Sequence, residues 1–219
     1  MFGRISNLLS DPLSVVYTLP GIFIGLTVHE WAHAYAADRL GDPTAKNMGR
    51  MTLNPLAHID PFGFLCLLLV GFGWAKPVPV NSRNFKKFRR DDIIVSIAGI
   101  CTNLIVALLA TIVFYVGLYV GNLMGNEAFQ RIMLAIVTIN LSLAVFNLLP
   151  VYPLDGSHVF ESLFMRRIPR VMLFLRQYGY YILIALLITG VISGVLGTVV
   201  SWLFSLFSSI AIVIVRLIL

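Results

Sequence analysis

The first long apolar run of the chain contains three residues whose types and spacing suit metal chemistry. His29, Glu30 and His33 form the pattern H-E-x-x-H. On an α-helix, positions i and i+4 differ by about 40° in azimuth, so both imidazoles lie on one face. Neutral imidazoles bind Zn²⁺, and a glutamate beside the first histidine can act as general base toward water that the metal activates. The alternative is polar packing inside a bundle, but ionisable side chains within a membrane span are costly and mostly functional.

A catalytic zinc has three protein ligands and one open position, so a third ligand is required. Most acidic residues lie in evident loops, and Asp155 stands apart from them. It follows Pro150 and Pro153, which interrupt an apolar run, and it precedes Gly156. Unwound backbone at membrane depth is tolerated only around a cavity or inside protein, and glycine lets the backbone approach closely. These features favour Asp155 as the third ligand.

Two other interpretations of this region remain open from the residues alone. Asp155 could act only as the N-cap of a helix that begins near Ser157. His158 and Glu161, one helical turn further on, are rival ligands, although we expect both at a polar rim.

Composition identifies the setting of these residues. Of 219 residues, 58% are hydrophobic and 12% are charged, and the mean hydropathy is +0.89. Soluble domains carry about 25% charged residues. Disordered chains, secreted disulfide scaffolds and nucleic-acid-binding domains are therefore excluded, even though the pI is about 9.6. The basic residues lie in short loops between apolar runs, which is typical of the cytoplasmic face of a polytopic membrane protein.

Apolar runs and turn signals divide the chain into elements. A membrane span needs about 20 apolar residues, and the run 61–74 is too short for one, so we expect a re-entrant segment there. The final part, 178–219, fits either two spans or one span and an interfacial helix. A short amphipathic helix is expected at 157–164. The predicted spans before residue 178 are 13–37, 93–120 and 132–150.

Residues 76–81 alternate proline and valine, which favours extended backbone and disfavours helix. This segment could be an edge strand that pairs with an unwound substrate segment, or a plain connector. The fold class that follows is an all-α polytopic membrane protein. It has about five to six membrane helices, including one re-entrant segment, and a short extended or β segment near 76–81.

Two motifs together resemble the site-2 protease family of intramembrane zinc metalloproteases. One is H-E-x-x-H in the first long span, and the other is N-x-x-P-x-x-P-L-D-G, which begins at Asn147. The stretch 39–63 resembles the compact prokaryotic members that lack a PDZ domain, and the similarity covers about residues 14–165. The resemblance implies that His29, His33 and Asp155 hold one Zn²⁺ per chain and that Glu30 is the catalytic glutamate. It also implies that the substrates are transmembrane proteins in the lipid bilayer.

The metal geometry constrains topology, because His33 and Asp155 must lie at equal depth. Asp155 precedes the basic loop 166–176, which we expect in the cytoplasm. The first span then also ends at the cytoplasmic face, and the active site lies nearer that face of the cell membrane. With two final spans, 14 of the 16 Lys and Arg residues are cytoplasmic, because only Arg4 and Arg131 lie outside. We expect a single domain, 1–219, with its core at 14–165 and C-terminal helices at 178–219.

Three further polar residues are candidate substrate-binding or supporting residues. Asn140 and Asn147 are seven residues apart and share a helix face. They could bind the substrate backbone or its carbonyl oxygen, or they could join helices by hydrogen bonds. His58 could contact substrate or shield the site, but a turn capped by Asp60 is the simpler explanation of that segment.

Two other functions remain compatible with the residues. A metal-dependent transporter could use the same ligands as a transit site, although transport needs no general base. A non-catalytic scaffold that binds membrane helices would hold no zinc tightly. The substrate, the cleavage site and the oligomeric state do not follow from the sequence.

Overall fold

The computed structural model describes residues 11–70 and 73–218. Within these residues the chain is nearly all helical and contains no strand, which confirms the predicted class. Five of the helices are long and apolar enough to cross a membrane: α1, α4, α5, α7 and α8. The described residues form eight α-helices: α1 (Pro12–Leu40), α2 (Thr44–Asn47), α3 (Pro61–Val70), α4 (Phe88–Tyr119), α5 (Glu127–Asn147), α6 (Asp155–Phe164), α7 (Pro169–Ile188) and α8 (Val191–Ile218).

Helices α1, α4 and α5 pack against one another and form the centre of the molecule. Small side chains at the contacts, including Ala107 and Ala144, are buried and let the helices approach closely. Helix α8 covers this core from outside. Its side chains Leu203 and Phe207 pack against the cluster that contains Val137. Helix α6 contacts α4, and α7 contacts only α6 and α8 among the closely packed pairs.

The segment expected to be re-entrant forms a closed excursion from the end of the bundle. Helix α3 has 10 residues, about 15 Å, which is half of the hydrocarbon thickness. The two ends of the excursion meet, because Ile59 and Ala75 form an antiparallel bridge and the Lys76 N–H donates to the His58 carbonyl at 2.8 Å. Re-entry into a membrane stays a prediction.

The expected β segment at 76–81 is only partly correct. These residues are not helical, but they pair with no strand among the described residues, and the isolated Ile59–Ala75 bridge is the one β feature there. The physical reason is that Pro77 and Pro79 supply no N–H, and the N–H groups of Val78 and Asn81 bind the side chains of Glu30 and Asp42 instead of a neighbouring strand. Arg50 donates to the carbonyls of Lys76 and Pro77 at 2.8 and 3.3 Å.

The C-terminal region forms two long helices, and both fit a membrane span. Helix α7 begins at Pro169 and not near 178, because Arg170 and Arg176 lie on its exposed surface and do not interrupt it. A two-residue turn, Thr189 and Gly190, connects α7 to α8. Length and hydropathy therefore favour two spans over one span and an interfacial helix.

Candidate metal centre

Three ligand atoms from two separate segments converge at one point inside the bundle. His29 Nε2 and His33 Nε2 lie 3.0 Å apart, and Asp155 Oδ2 lies 3.1 and 3.3 Å from them. A tetrahedral Zn²⁺ with bonds of about 2.0–2.1 Å places its ligands about 3.3 Å apart. Both histidines are buried and Asp155 is partly buried. Among the residues that the structure describes, these three form the one cluster of His, Cys, Asp and Glu side chains that could hold a metal ion.

The hydrogen bonds of the two imidazoles show that this arrangement fits a cation. His29 Nδ1 faces Asn103 Oδ1 at 2.6 Å, and His33 Nδ1 faces the Val95 carbonyl at 2.8 Å. Both partners are acceptors, so each neutral imidazole carries its proton on Nδ1 and has a lone pair on Nε2. Two such lone pairs and Asp155 Oδ2, a buried oxygen without a hydrogen-bond partner, then face one another. A cation at their centre satisfies all three.

Gly99 on α4 provides the space that the imidazoles occupy. A Cβ atom at this position would lie 2.6 Å from His29 Cε1 and 2.7 Å from His33 Nε2. Such distances are shorter than any ordinary contact between carbon and nitrogen atoms. The helix backbone of α4 therefore forms one wall of the site, and only glycine fits there.

Asp155 reaches the histidines because the chain turns sharply between α5 and α6. Helix α5 ends at Asn147, and α6 begins at Asp155 itself, two residues before the expected start. The N-cap of α6 is Leu154, so Asp155 is not a capping residue and its side chain points at the imidazoles. A Cβ on Gly156 would lie 2.3 Å from the Leu148 carbonyl oxygen, so the turn closes only around glycine.

Glu30, which follows His29 in the sequence, is buried, and its carboxylate has a defined hydrogen-bond partner. Glu30 Oε2 accepts a hydrogen bond from the Val78 backbone N–H at 2.7 Å. Val78 belongs to the extended segment 76–81, and its side chain packs against Ala34 and Ala45. The extended segment therefore lies over the same end of α1 that contains the H-E-x-x-H motif.

Asp42 fastens the extended segment to the end of α1. Its fully buried carboxylate accepts hydrogen bonds from the Asn81 N–H and from Asn84 Nδ2, both at 2.7 Å, and from Thr44. Burial raises the pKa of the Asp42 carboxyl, but the bonds from Thr44, Asn81 and Asn84 outweigh this and hold it below its usual value. The carboxylate is thus a negatively charged anchor for the loop.

The candidate supporting residues occupy three different environments. Asn140 is fully buried and bonds Asn103 on α4. Asn147 donates only to the Leu143 carbonyl of its own helix, at 3.0 Å, and is half-buried. His58 is fully buried and contacts the Thr52 carbonyl at 2.8 Å, so it lies in the loop before α3 and not among the converging ligands.

The rival ligands also lie apart from the three convergent atoms. His158 faces Asp92 at 3.9 Å, and Glu161 faces Arg176 at 3.6 Å. Asp60 accepts a hydrogen bond from the Gly63 N–H at 2.7 Å, in agreement with the capped turn.

Three contributors to the site were missed by reasoning from the sequence. Asn103 could have been identified from the sequence, because a lone amide in the predicted span 93–120 requires a hydrogen-bond partner. Gly99, four residues earlier, shares its helix face and could have been read with it. The Val78 N–H had no signal, since a backbone group is not visible in residue types.

Comparison with known proteins identifies the family. The sequence model of peptidase family M50 matches residues 115–190 of this chain. Zinc metalloprotease candidates among curated proteins match nearly the whole chain. YwhC of Bacillus subtilis is 40% identical, with 87% of both chains covered. Rip2 of Mycolicibacterium smegmatis is 28% identical, with 88% of this chain and 76% of the relative covered, and Rip2 of Mycobacterium tuberculosis is 29% identical, with 87% and 74% covered.

No solved structure matches this chain. The similarity to YwhC extends over 204 residues and so reaches beyond the part that the family description matches. The converging ligand atoms agree with the metal named in these relatives. The chain belongs to peptidase family M50, the site-2 protease family, and is a multi-pass membrane protein and a zinc metalloprotease.

Proposed function

We propose that this zinc metalloprotease hydrolyses peptide bonds in or near the transmembrane segments of membrane proteins. His29, His33 and Asp155 hold one Zn²⁺, and Glu30 is the general base. The observation that carries the proposal is the triangle of three ligand atoms, 3.0–3.3 Å apart, inside a bundle of helices that are apolar enough to span a membrane.

The depth of the ligands supports a substrate within the membrane. Helix α1 has 29 residues, about 43 Å, which exceeds the hydrocarbon thickness of about 30 Å. His33 lies seven residues before the end of α1, so it is about 10 Å from that end. A helix centred in the bilayer then holds His33 inside the hydrocarbon region. A peptide bond that reaches this position belongs to a segment that enters the membrane.

The residues of the chain perform the proton transfers of hydrolysis. When bound, Zn²⁺ supplies Lewis-acid chemistry, which makes water a better nucleophile and polarises the scissile carbonyl. The Glu30 carboxylate, whose Oε2 accepts a hydrogen bond from the Val78 N–H, takes the proton from the attacking water. Glu30 then passes this proton to the leaving amine. The Val95 carbonyl and Asn103 keep the two imidazoles oriented throughout.

The extended segment 76–81 is a suitable surface for an unwound substrate. Among the described residues, the backbone N–H and carbonyl of Val80 have no hydrogen-bond partner. In extended backbone, residues two apart present these groups on the same side, so those of Val80 face the side on which Val78 binds Glu30. Val80→Pro removes the free N–H, and we expect a higher KM with unchanged zinc content.

We propose that the active site lies nearer the cytoplasmic face. Ser162 donates to Asp92 at 3.2 Å, which brings α6 and the start of α4 together, so the basic stretches 83–90 and 166–170 share one end of the bundle. Arg131 binds Asp11 at 3.0 Å at the opposite end. Single cysteines at Lys46 and Lys87 should react only with a reagent applied to the cytoplasmic side. Labelling from opposite sides would contradict this topology.

Proteolysis is tested with a general-base variant that keeps all three ligands. Purified wild type and Glu30→Gln are reconstituted in proteoliposomes with a labelled transmembrane peptide library. We expect wild type to cleave, and we expect Glu30→Gln to bind one zinc per chain with cleavage reduced at least about 1,000-fold, since general base and metal act together. Cleavage at the wild-type rate by Glu30→Gln would contradict the proposed role. Cleavage confined to soluble loops would contradict the proposed substrate class.

A further inference from the structure

Two buried amide side chains connect the candidate ligand His29 to helices α4 and α5. Asn103 on α4 and Asn140 on α5 are both fully buried. Asn103 Oδ1 lies 2.6 Å from His29 Nδ1, and Asn103 Nδ2 donates to Asn140 Oδ1 at 2.8 Å. Asn140 Nδ2 donates to the Ile136 carbonyl at 2.8 Å. The result is one continuous chain of hydrogen bonds across three helices.

The donor and acceptor roles in this series of hydrogen bonds are fixed by backbone carbonyl groups, which can only accept a hydrogen bond. Asn103 Nδ2 also lies 3.0 Å from the Gly25 carbonyl, which has no hydrogen to donate. The amide nitrogen of Asn103 must therefore face Gly25 and Asn140, and its oxygen must face His29. In the same way, the Ile136 carbonyl sets the orientation of Asn140. Every donor then meets an acceptor, so His29 carries its proton on Nδ1.

We propose that Asn103 is a positioning residue for the metal centre, which holds His29 in the Nδ1–H tautomer and directs Nε2 toward the metal. Asn140 supports it by orienting the Asn103 amide. A ligand histidine whose second nitrogen is hydrogen-bonded keeps its tautomer and ring orientation, and loss of such a partner costs about 10–100-fold in metal affinity. This inference rests on the proposed role of His29 as a ligand.

The two histidines differ in a way that makes the inference testable. His33 is held by a backbone carbonyl, that of Val95, which no substitution removes. His29 is held by a side chain, so its partner can be changed. The same amide joins α4 to α5, and α5 leads into the turn that presents Asp155. A purely structural amide would stabilise the helix packing but would leave zinc affinity unchanged.

The experiment compares zinc affinity and stability in purified, metal-free protein in detergent. The variants are Asn103→Leu, which removes the acceptor; Asn103→Asp, which keeps an oxygen acceptor toward His29 and, as a neutral buried carboxyl, an O–H donor toward Gly25 and Asn140; and Asn140→Leu. Thr111→Val is the matched control, because Thr111 is also fully buried on α4 and bonds only the Ala107 carbonyl of its own helix, at 2.7 Å. Zinc affinity is measured by competition with a chelator. Thermal unfolding of the metal-free protein reports stability, and the visible spectrum of the Co²⁺-loaded protein reports ligand geometry.

We expect Asn103→Leu to weaken zinc binding about 10–100-fold and to alter the Co²⁺ spectrum. Asn103→Asp should recover most of the affinity, Asn140→Leu should weaken binding by less than Asn103→Leu, and Thr111→Val should leave it unchanged. If Asn103→Leu fails to fold, Asn140→Leu and Asn103→Asp decide in its place.

Wild-type affinity in Asn103→Leu, or an equal loss in Thr111→Val, would overturn the inference. So would a loss in Asn103→Asp as large as that in Asn103→Leu. Wild-type protein that binds no zinc would instead overturn the proposed metal centre, so the two failures are distinguishable.

Discussion

Polar side chains form different kinds of hydrogen bond in the core of α1, α4 and α5 and in the outer helix α8. In the core of α1, α4 and α5, the buried side chains of His29, Asn103 and Asn140 form hydrogen bonds that cross from one helix to another. In α8, the hydroxyls of Thr198, Ser205 and Ser209 are exposed and bond carbonyls of their own helix at 2.9–3.1 Å.

The difference shows what makes a polar residue functional in a membrane protein. A hydroxyl that bonds its own helix satisfies itself and requires no neighbour, so it fits any exposed face. An amide or imidazole in the core requires a partner on another helix, and so it fixes how the helices pack. A hydroxyl that bonds its own helix therefore gives little information about a functional site. An amide or imidazole that bonds another helix builds one, and changes there should affect the metal far more than changes in α8.

The largest expected effect is at Gly99. In Gly99→Ala the new Cβ would lie 2.6 Å from His29 Cε1 and 2.7 Å from His33 Nε2, so the imidazoles must move away from α4. We expect zinc affinity to fall by about 100-fold or more. Gly194→Ala in α8 is the control, because no atom lies within 4 Å of its Cβ position. Equal zinc affinity in both variants would remove the distinction between the two regions.

Gly156→Ala should have the next largest effect. A Cβ there would lie 2.3 Å from the Leu148 carbonyl oxygen and 2.6 Å from the Leu149 carbonyl oxygen, so the turn that presents Asp155 must open. We expect zinc affinity to fall about 10–100-fold while His29 and His33 remain in place. Gly125→Ala, where no atom lies within 4 Å, is the control. Tight zinc binding by Gly156→Ala would contradict the role of this turn.

Asp42→Asn tests the anchor that holds the extended segment over the site. Hydrogen bonds to a charged group contribute about 1.5–3 kcal/mol each, so we expect a loss of about 2 kcal/mol in the free energy of unfolding at pH 7. Because the pKa of Asp42 is lowered in the folded state, its stabilisation is present above the unfolded pKa of about 3.9 and is lost as pH falls through the folded value.

Unfolding measured across pH checks this expectation. The difference between wild type and Asp42→Asn should be constant from pH 7 to about pH 5 and should shrink below about pH 4. A difference that grows toward acid pH would contradict the direction of the pKa shift.

The smallest expected effect is in α8. Thr198→Val removes an exposed hydroxyl that bonds only the Gly194 carbonyl, at 3.1 Å. We expect a change of less than about 0.5 kcal/mol in stability and no change in zinc affinity. Thr111→Val in α4 should also leave zinc affinity unchanged, although its hydroxyl is fully buried. Loss of zinc in Thr198→Val would mean that α8 contributes to the metal centre.

The sequence predicts the local parts of this molecule well. The H-E-x-x-H spacing is local, because four residues of helix bring His29 and His33 to one face. Asp155 was favoured by the prolines and glycine around it, which mark an interrupted helix. The start of α7 at Pro169 was missed, since Arg170 and Arg176 suggested a loop and the packing of α7 keeps them exposed.

Contacts between distant segments could not be predicted in the same way. The partners of Asn103 are 78 and 37 residues away in the sequence, at Gly25 and Asn140, and only the packing of three helices brings them together. The bond between Glu30 and the Val78 N–H joins residues 48 apart through a backbone group. Residue types carry no information about such a bond.

The central claim is that His29, His33 and Asp155 hold one zinc. The most direct test is the zinc content of detergent-purified wild type beside Asp155→Asn, which needs no known substrate. We predict about one zinc per wild-type chain and loss of zinc in Asp155→Asn, because two imidazoles alone do not complete the three-ligand site. Zinc retained in Asp155→Asn at the wild-type level, or none in wild type, would contradict this metal centre.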